Sequence, residues 1–365
     1  MIKWLEDAVF YEVYPQSFRD SNGDGIGDIP GITEKLEYIQ ELGCNALWIN
    51  PCFTSPFYDA GYDVEDYYSV APRYGTNEDL KKLFEAAHQR GMHVLLDLVP
   101  GHTAVTHPWF QESMKAEKNE YTDRYVWTDS LYKRMEDVKG IVSVLRGISP
   151  RPASCGVNCF STQPALNYGF ANITDAGWQQ PTDAPGPMAT REELKNIMRF
   201  WLTLGCDGFR VAGSLVKNDE DKKETIRLWQ DVRAFLNKEF PEAALVSEWG
   251  KPEVALEAGF DMDFYLHFGD TGYMDLFRGD HPYFGGDPES DISVFAGIFA
   301  KNQENLRGKG MMCMPSGNHD MARISYQLDE EQLRLAYGFI YGFPGAPFLY
   351  YGDEIGMRYV ENLHS

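Results

Sequence analysis

The sequence predicts an α/β fold, a closed parallel (β/α)8 TIM barrel with a small inserted domain after the third strand. Short apolar or β-branched runs bounded by turn residues alternate with amphipathic helical stretches. The alternation repeats until eight strands are counted, and most of them end in Gly or Asp at their C-terminal side. Such a series argues for a closed barrel over an open doubly wound sheet. No GxGxxG follows the first strand, so the main sign of a dinucleotide-binding sheet is absent.

Residues 9–18 read as the first strand, and 32–42 as a helix with Ile32, Leu36, Ile39 and Leu42 on one face and Gly43 as its stop. A strand at 46–53, a helix at 78–90 ended by Gly91 and a strand at 93–100 follow. From 101 to 167 the chain is polar and turn-rich without a sustained period, too long for a plain loop, and is expected to form the inserted domain. The barrel is thereby divided into 1–100 and 168–365. Its second part predicts helix 191–204, strand 208–211, helix 220–239 and strand 244–249. Strand 262–268, helix 292–307, strand 311–315, helix 330–341 and strand 347–351 complete the count. Residues 356–365 are too few for a good closing helix, so the barrel reads as cut short after its eighth strand.

At 365 residues, 43% hydrophobic and 24% charged, the chain can bury one large core. No apolar run approaches the roughly 18 residues of a membrane span, and the start lacks the basic and apolar regions of a secretory signal. The cytoplasm is the expected location. Fifty-five acids against 33 Lys plus Arg leave a net charge of −22, which repels nucleic acid and anionic membranes. Cys44, Cys52, Cys155, Cys159, Cys206 and Cys313 are scattered and read as free thiols. The Cys155/Cys159 pair lacks the second pair that a zinc site needs.

Polar residues at the C-terminal ends of barrel strands face the active-site mouth. That rule selects Asp97 and His102 after the third strand, Arg210 on the fourth, Glu248 on the fifth, and His319 with Asp320 after the seventh. Carboxylates arriving from different strands suit glycoside cleavage, which needs an acid for the leaving oxygen and an opposed carboxylate. Taken singly, Arg210 also fits an interior ion pair, and His102 or His319 a hydrogen-bonded supporting histidine.

Together these segments resemble the α-amylase superfamily, glycoside hydrolase family thirteen, over nearly the whole chain. YEVYPQSFRDSNGDGIGDIPGI is similar to its first strand and loop, and YDAGYDVEDY to its second-loop motif. DLVPGH, QPALNYGF, GFRV, SEWG and GNHD resemble five further signatures in family order. The branch containing oligo-1,6-glucosidase, α-glucosidase and trehalose-forming enzymes matches the first loop and the QPxLN form best. The resemblance implies a retaining hydrolase or transglycosylase acting on short α-glucans or α-glucosides, with no organic cofactor. It implies Glu248 as general acid/base, Asp320 as transition-state stabiliser and Arg210 as the partner orienting the nucleophile. Asp59, Tyr62, His102, His319 and Arg323 would hold the innermost sugar, with Tyr62 offering a stacking face.

One departure matters more than the others. Where the family places its nucleophilic Asp, after GFRV, this chain has Ala212-Gly213-Ser214. The retaining mechanism sets two carboxyl groups about 5 Å apart so that one attacks the anomeric carbon, and Ala has no atom able to do so. Either a single Asp-to-Ala replacement or the loss of two residues from a GFRVDxAGS-like segment accounts for the text. A loss of about 10⁴ to 10⁶ in kcat is expected. The alternative to an impaired enzyme is therefore a catalytically silent α-glucan binder, natural or inactivated. Gly101 and Ala165 stand where the family usually has Asn and Asp, and Gly213 lies where linkage preference is often set, so linkage is not legible.

The first loop carries a second signal. Asp20, Asn22 and Asp24 alternate, the Ile26 carbonyl follows, then Asp28: oxygen ligands at a spacing that suits calcium, or magnesium in its place. The twelfth position is Gly31 instead of a bidentate Glu, and an Asx-turn-rich loop is the plain alternative.

Overall fold

The computed structural model describes residues 2–134, 136, 139–266, 271–306 and 308–360. Eight parallel strands close into a barrel in the order β1-β2-β5-β8-β9-β10-β11-β12. Strand β1, Phe10–Val13, is buried at every position because helices cover one face and the barrel interior the other. It is shorter than predicted: Pro15 has no N–H for a ladder and opens the short helix α1, Pro15–Phe18. The helix expected at 32–42 is two helices, α2 Ile29–Glu34 and α3 Leu36–Glu41, broken at Lys35. Asp28 caps α2, its Oδ1 accepting from the Gly31 amide at 2.7 Å.

Strand β2, Ala46–Ile49, stops before Pro51, and β3, Phe53–Thr54, instead pairs antiparallel with β4, Asp66–Val70. The predicted strand 46–53 thus divides between the barrel and this ribbon. Helix α4, Asn77–His88, carries a capping box between Thr76 and Asp79 and leads to β5, His93–Leu98. The excursion from residue 101 holds α5, Pro108–Ser113, and an antiparallel pair, β6 Ser143–Leu145 with β7 Cys155–Val157. Helix α6, Pro185–Leu204, starts six residues before its predicted 191, with Pro185 at the tolerated first position.

Then follow β8 Gly208–Ala212, α7 Lys223–Glu239 and β9 Ala244–Glu248. Helix α8, Pro252–Ala258, was not expected from the periodicity, and β10, Met262–Phe264, is short. Residues 267 and 268 of the predicted strand, 307 of the predicted helix and the final residues 361–365 lie outside the described residues. Helices α9 Met274–Phe277 and α10 Ser293–Leu306, β11 Met311–Pro315, α11 Glu330–Gly342 and β12 Ala346–Tyr350 complete the fold. Strand β12 pairs with β1 through Phe10↔Phe348, so the ring of strands is complete within the described residues.

The two-residue strand period decides what enters the barrel. Phe10, Trp48, Leu95, Val246, Phe264 and Phe348 form one interior cluster, with Phe10 and Phe348 stacked at 4.2 Å. The next inward positions toward the C-terminal mouth are polar: Glu12, Asp97, Arg210 and Glu248. Apolar burial at the bottom thus supports a charged floor above it. All six cysteines are free. No helix among the described residues is long and apolar enough to cross a membrane.

Candidate active site

Above the polar floor lies a cavity of about 300 Å³ at the C-terminal ends of the strands. Asp59, Tyr62, His102, Arg210, Glu248, His319 and Asp320 all line it, and so does Ala212. Strand register explains the centre: Asp97 on β5 lies beside Arg210 on β8, and Ala212 beside Glu248 on β9. Arg210 is buried, and its Nη1 donates to both Asp97 oxygens at 3.2 and 3.1 Å. Its Nη2 makes a close ion pair with Glu248 Oε1. With no carboxylate at position 212, Glu248 and Asp97 are the two acids that grip the guanidinium. The guanidinium also lies 4.9 Å above the Trp48 ring.

Burial pushes the Glu248 carboxyl above the ordinary range; Arg210 and His319 oppose this, while Asp97 and Asp320 reinforce it. A carboxyl so placed can hold a proton for a leaving oxygen. Asp59 is also raised, by burial first and by Asp63 and Asp320, and its Oδ2 accepts from Gln163 Nε2 at 2.5 Å. Asp320 is the most open of the acids, with its side chain 49% exposed and Oδ2 3.4 Å from His319 Nε2.

The histidines differ. Burial lowers His102 to about 4, so its ring is neutral at pH 7. Its Nε2 donates to the Tyr62 carbonyl at 2.8 Å and its Nδ1 accepts from Asn158 Nδ2 at 3.1 Å, a tautomer fixed by these partners. His319 stacks on Tyr62 with ring centroids 5.0 Å apart, and its Nε2 meets the Tyr62 hydroxyl at 2.7 Å.

Arg323 does not join the group. Its Nη1 donates to the Tyr351 carbonyl and, at 2.9 Å, to Asp353 Oδ1, with the guanidinium 4.6 Å over the Tyr350 ring. The short 3-10 turn Ile324–Tyr326 follows it and the side chain is consumed in a structural ion pair. Its expected contact with sugar is corrected accordingly. Asp207, just before β8, accepts from the Val94 amide and faces His88 and His93 at the N-terminal end of the barrel, away from the cavity. Three residues of the site were not among the expected site residues: Glu12, Asn158 and Gln163, although Glu12 lies in the YEVYP segment and Gln163 opens QPALNYGF. Glu12 had a further signal, a charge at an inward position of an apolar strand, and Asn158 had none.

The 20–28 loop is built from Asx turns. Asp20 accepts from the amides of Asn22, Gly23 and Gly25, Asn22 from that of Asp24, and Asp24 from that of Ile26. Asp28 Oδ2 accepts from Ser21 and Asn22 while Oδ1 caps α2. No three His, Cys, Asp or Glu side chains among the described residues gather as a metal cluster. The donor set is nonetheless all oxygen, and these carboxylates retain lone pairs beyond the N–H groups they accept.

Comparison with known proteins matches residues 12–364 to the family described as alpha amylase, catalytic domain. The trehalose synthase/amylase TreS of Mycolicibacterium smegmatis is 33% identical, over 97% of this chain and 64% of its own length. An oligo-1,6-glucosidase of Parageobacillus thermoglucosidasius is 31% identical over 98% of the chain and 66% of its own. The chain spans just under two thirds of these relatives. Among solved structures, an alpha-amylase from H. orenii superposes with a TM-score of 0.79 at 32% identity, covering 96% of this chain and 70% of that one. An inactive double mutant of MutB in complex with isomaltulose gives 0.79 at 27% identity, covering 99% and 67%.

Proposed function

Because the chain belongs to the α-amylase family, we propose that its cavity binds short α-glucans or α-glucosides and that turnover is blocked at Ala212. Glu248 is the acid/base of the reading, Asp320 the transition-state stabiliser and Arg210 the residue that would orient a nucleophile. Asp59, Tyr62, His102 and His319 hold the sugar ring. The observation that carries it is the convergence of Glu248, Asp320 and Arg210 on a cavity in which the residue beside Glu248 is Ala212. The MutB mutant, inactive yet holding isomaltulose, is a relative in which sugar binding and loss of activity coexist.

Titration calorimetry with maltose and maltotriose is expected to show saturable binding, without measurable release of glucose. Ala212→Asp is expected to raise glucose release by about 10⁴ or more. Unchanged release in a folded variant, together with no binding to the parent, would defeat the assignment. Azide tests the acid separately: with maltose, whose leaving oxygen needs a proton, it attacks the anomeric carbon from the Ala212 side. A C–N bond forms, the glycosidic C–O bond breaks, and Glu248 protonates the leaving oxygen. The expected product is a glycosyl azide of inverted configuration.

The loop from Asp20 to Asp28 is proposed to take calcium, magnesium being the substitute. Asp20, Asn22, Asp24, Asp28 and the Ile26 carbonyl are the candidate ligands, and the ion would pin the loop beside β1. The support is the oxygen chemistry of the donors.

A further inference from the structure

We propose that Glu12, on the first barrel strand, is a positioning residue that holds His319 as a doubly protonated imidazolium facing the sugar cavity. The inference rests on the sugar-binding reading for its consequence, and on proton accounting for its substance. Glu12 is completely buried. Its Oε1 faces His319 Nδ1 at 3.1 Å and accepts from Asn50 Nδ2 at 3.1 Å, while Oε2 has no partner. On the other side of the ring, Nε2 lies 2.7 Å from the Tyr62 hydroxyl, which is itself 3.0 Å from Asp97 Oδ2.

Tyr62 has one proton to give, and a carboxylate can only accept. If Tyr62 donates to Asp97, its oxygen must receive a hydrogen from His319 Nε2. If it donated to His319 instead, its oxygen would face Asp97 Oδ2 at 3.0 Å with no hydrogen between them, although Oδ2 would keep Arg210 and Trp48 as donors. Nδ1 lies 3.1 Å from Glu12 Oε1 and 3.3 Å from Asn50 Nδ2; beside an ionised Glu12, which accepts from Asn50, that nitrogen also carries hydrogen. With Tyr62 turned to Asp97 and Glu12 ionised, both ring nitrogens are donors.

The surroundings agree in sign. Burial lowers the His319 pKa, but Glu12 and then Asp320 outweigh it and Arg210 subtracts, leaving it above the usual histidine value. Glu12 stays above the ordinary carboxyl range because burial outweighs His319, Asn50 and Arg210, and the His319 cation is what favours its ionised form most. Asp59, Glu248 and Asp97 are the other charged groups around this face of the cavity, and the rings of Tyr14 and Trp48 close its back. Asp320 Oδ2, 3.4 Å from Nε2, is a second acceptor for the same hydrogen.

With its Nε2 hydrogen given to Tyr62 and shared by Asp320, the cation fixes both of these sugar-facing side chains, and a ring with Nε2 bare would release them. Sugar affinity is accordingly expected to fall as pH rises through the His319 pKa.

Long-range ¹H–¹⁵N spectra of the unmutated protein at pH 7, with the His319 ring assigned by its loss in His319→Gln, are expected to show both nitrogens protonated. A single protonated nitrogen there overturns the proposal without any variant of Glu12. In Glu12→Gln, which keeps the size and an acceptor but removes the charge, proton affinity of His319 is expected to fall at least tenfold. The midpoint of the pH dependence of maltotriose binding should move down with it. An unmoved midpoint in the folded variant also overturns the proposal. A ring that titrates as expected in a protein that binds no maltotriose at any pH would instead defeat the sugar reading and leave the role of Glu12 standing.

Discussion

Asp97 and Arg210 show how the site and the stability of the molecule share one residue pair. Both are almost fully buried, and Arg210 retains its charge because Asp97 and Glu248 surround it. Asp97→Ala would leave a buried cation short of a partner, and such losses cost about 3–5 kcal/mol. Urea denaturation at pH 7 is expected to show that loss, whereas Asp320→Asn, at an open position, is expected to leave stability within about 0.5 kcal/mol. The buried histidines add a pH term. Burial lowers His102 to about 4 and His107 to about 3. The unfolded chain then binds protons that the native one refuses between about pH 6.5 and those values, so stability falls as pH drops through that window. His102 contributes about 3 kcal/mol to this fall. Asp263, pushed up to about 6 by burial, acts in the opposite direction between pH 6 and its ordinary range. Glu12, Asp59 and Glu248, also raised, act with Asp263, so substitution isolates the histidine effect: on going from pH 7 to pH 4.5, His107→Gln should lose less stability, or gain more, than the unmutated protein. At this scale the sequence was informative where a side chain belongs to a motif, as Glu248 and His319 do. Glu12 lies within the YEVYP segment, yet the motif itself does not mark it, since its importance arises from which atom of another strand's loop it meets. Arg323 misled for the converse reason: it follows GNHD closely in sequence, but the turn after it delivers its side chain to Asp353.

Element boundaries were legible where the residue chemistry is local. Gly43 and Gly91 both stop helices as expected, and β11 occupies the predicted 311–315 because apolar side chains and Pro315 define it. Boundaries failed where a partner strand decides them. Nothing in AVFYEVYPQSF separates a four-residue strand from a ten-residue one except Pro15, and residues 46–53 divide only because β4 is present to pair with β3. The loop between α1 and α2 offers the sharpest test at this scale. If it binds calcium, the native state is stabilised by about 2.7 kcal/mol when free calcium is a hundredfold above Kd. Thermal melts in millimolar calcium against a chelator should then differ by several degrees, and Asp24→Ala should abolish the difference while leaving the chelated melt unchanged. Identical melts in calcium and chelator would leave the loop as a set of Asx turns.

For the molecule as a whole, one seam joins stability to function. Phe348 on β12 stacks on Phe10 of β1, touches the edge of Phe264 at a centroid distance of 4.8 Å and that of Trp48 at 6.2 Å. Trp48 in turn donates from Nε1 to Asp97 Oδ2 at 3.2 Å and lies under Arg210. The ring closure and the charged floor of the cavity are therefore two storeys of one packed column. Phe348→Ala removes a large buried ring from a site walled by β-strands that cannot collapse around the gap, and is expected to cost about 3–5 kcal/mol. A cavity confined to the apolar storey would lower stability alone. Because Trp48 bridges the two, the variant should also weaken maltotriose binding under conditions where it remains folded. Phe343→Ala serves as the comparison: that ring packs against Phe299 and Phe339 on the outer helices. It should lower the melting temperature without changing the affinity of the remaining folded protein. Equal affinities in the two variants would show that the floor keeps its geometry without the column beneath it.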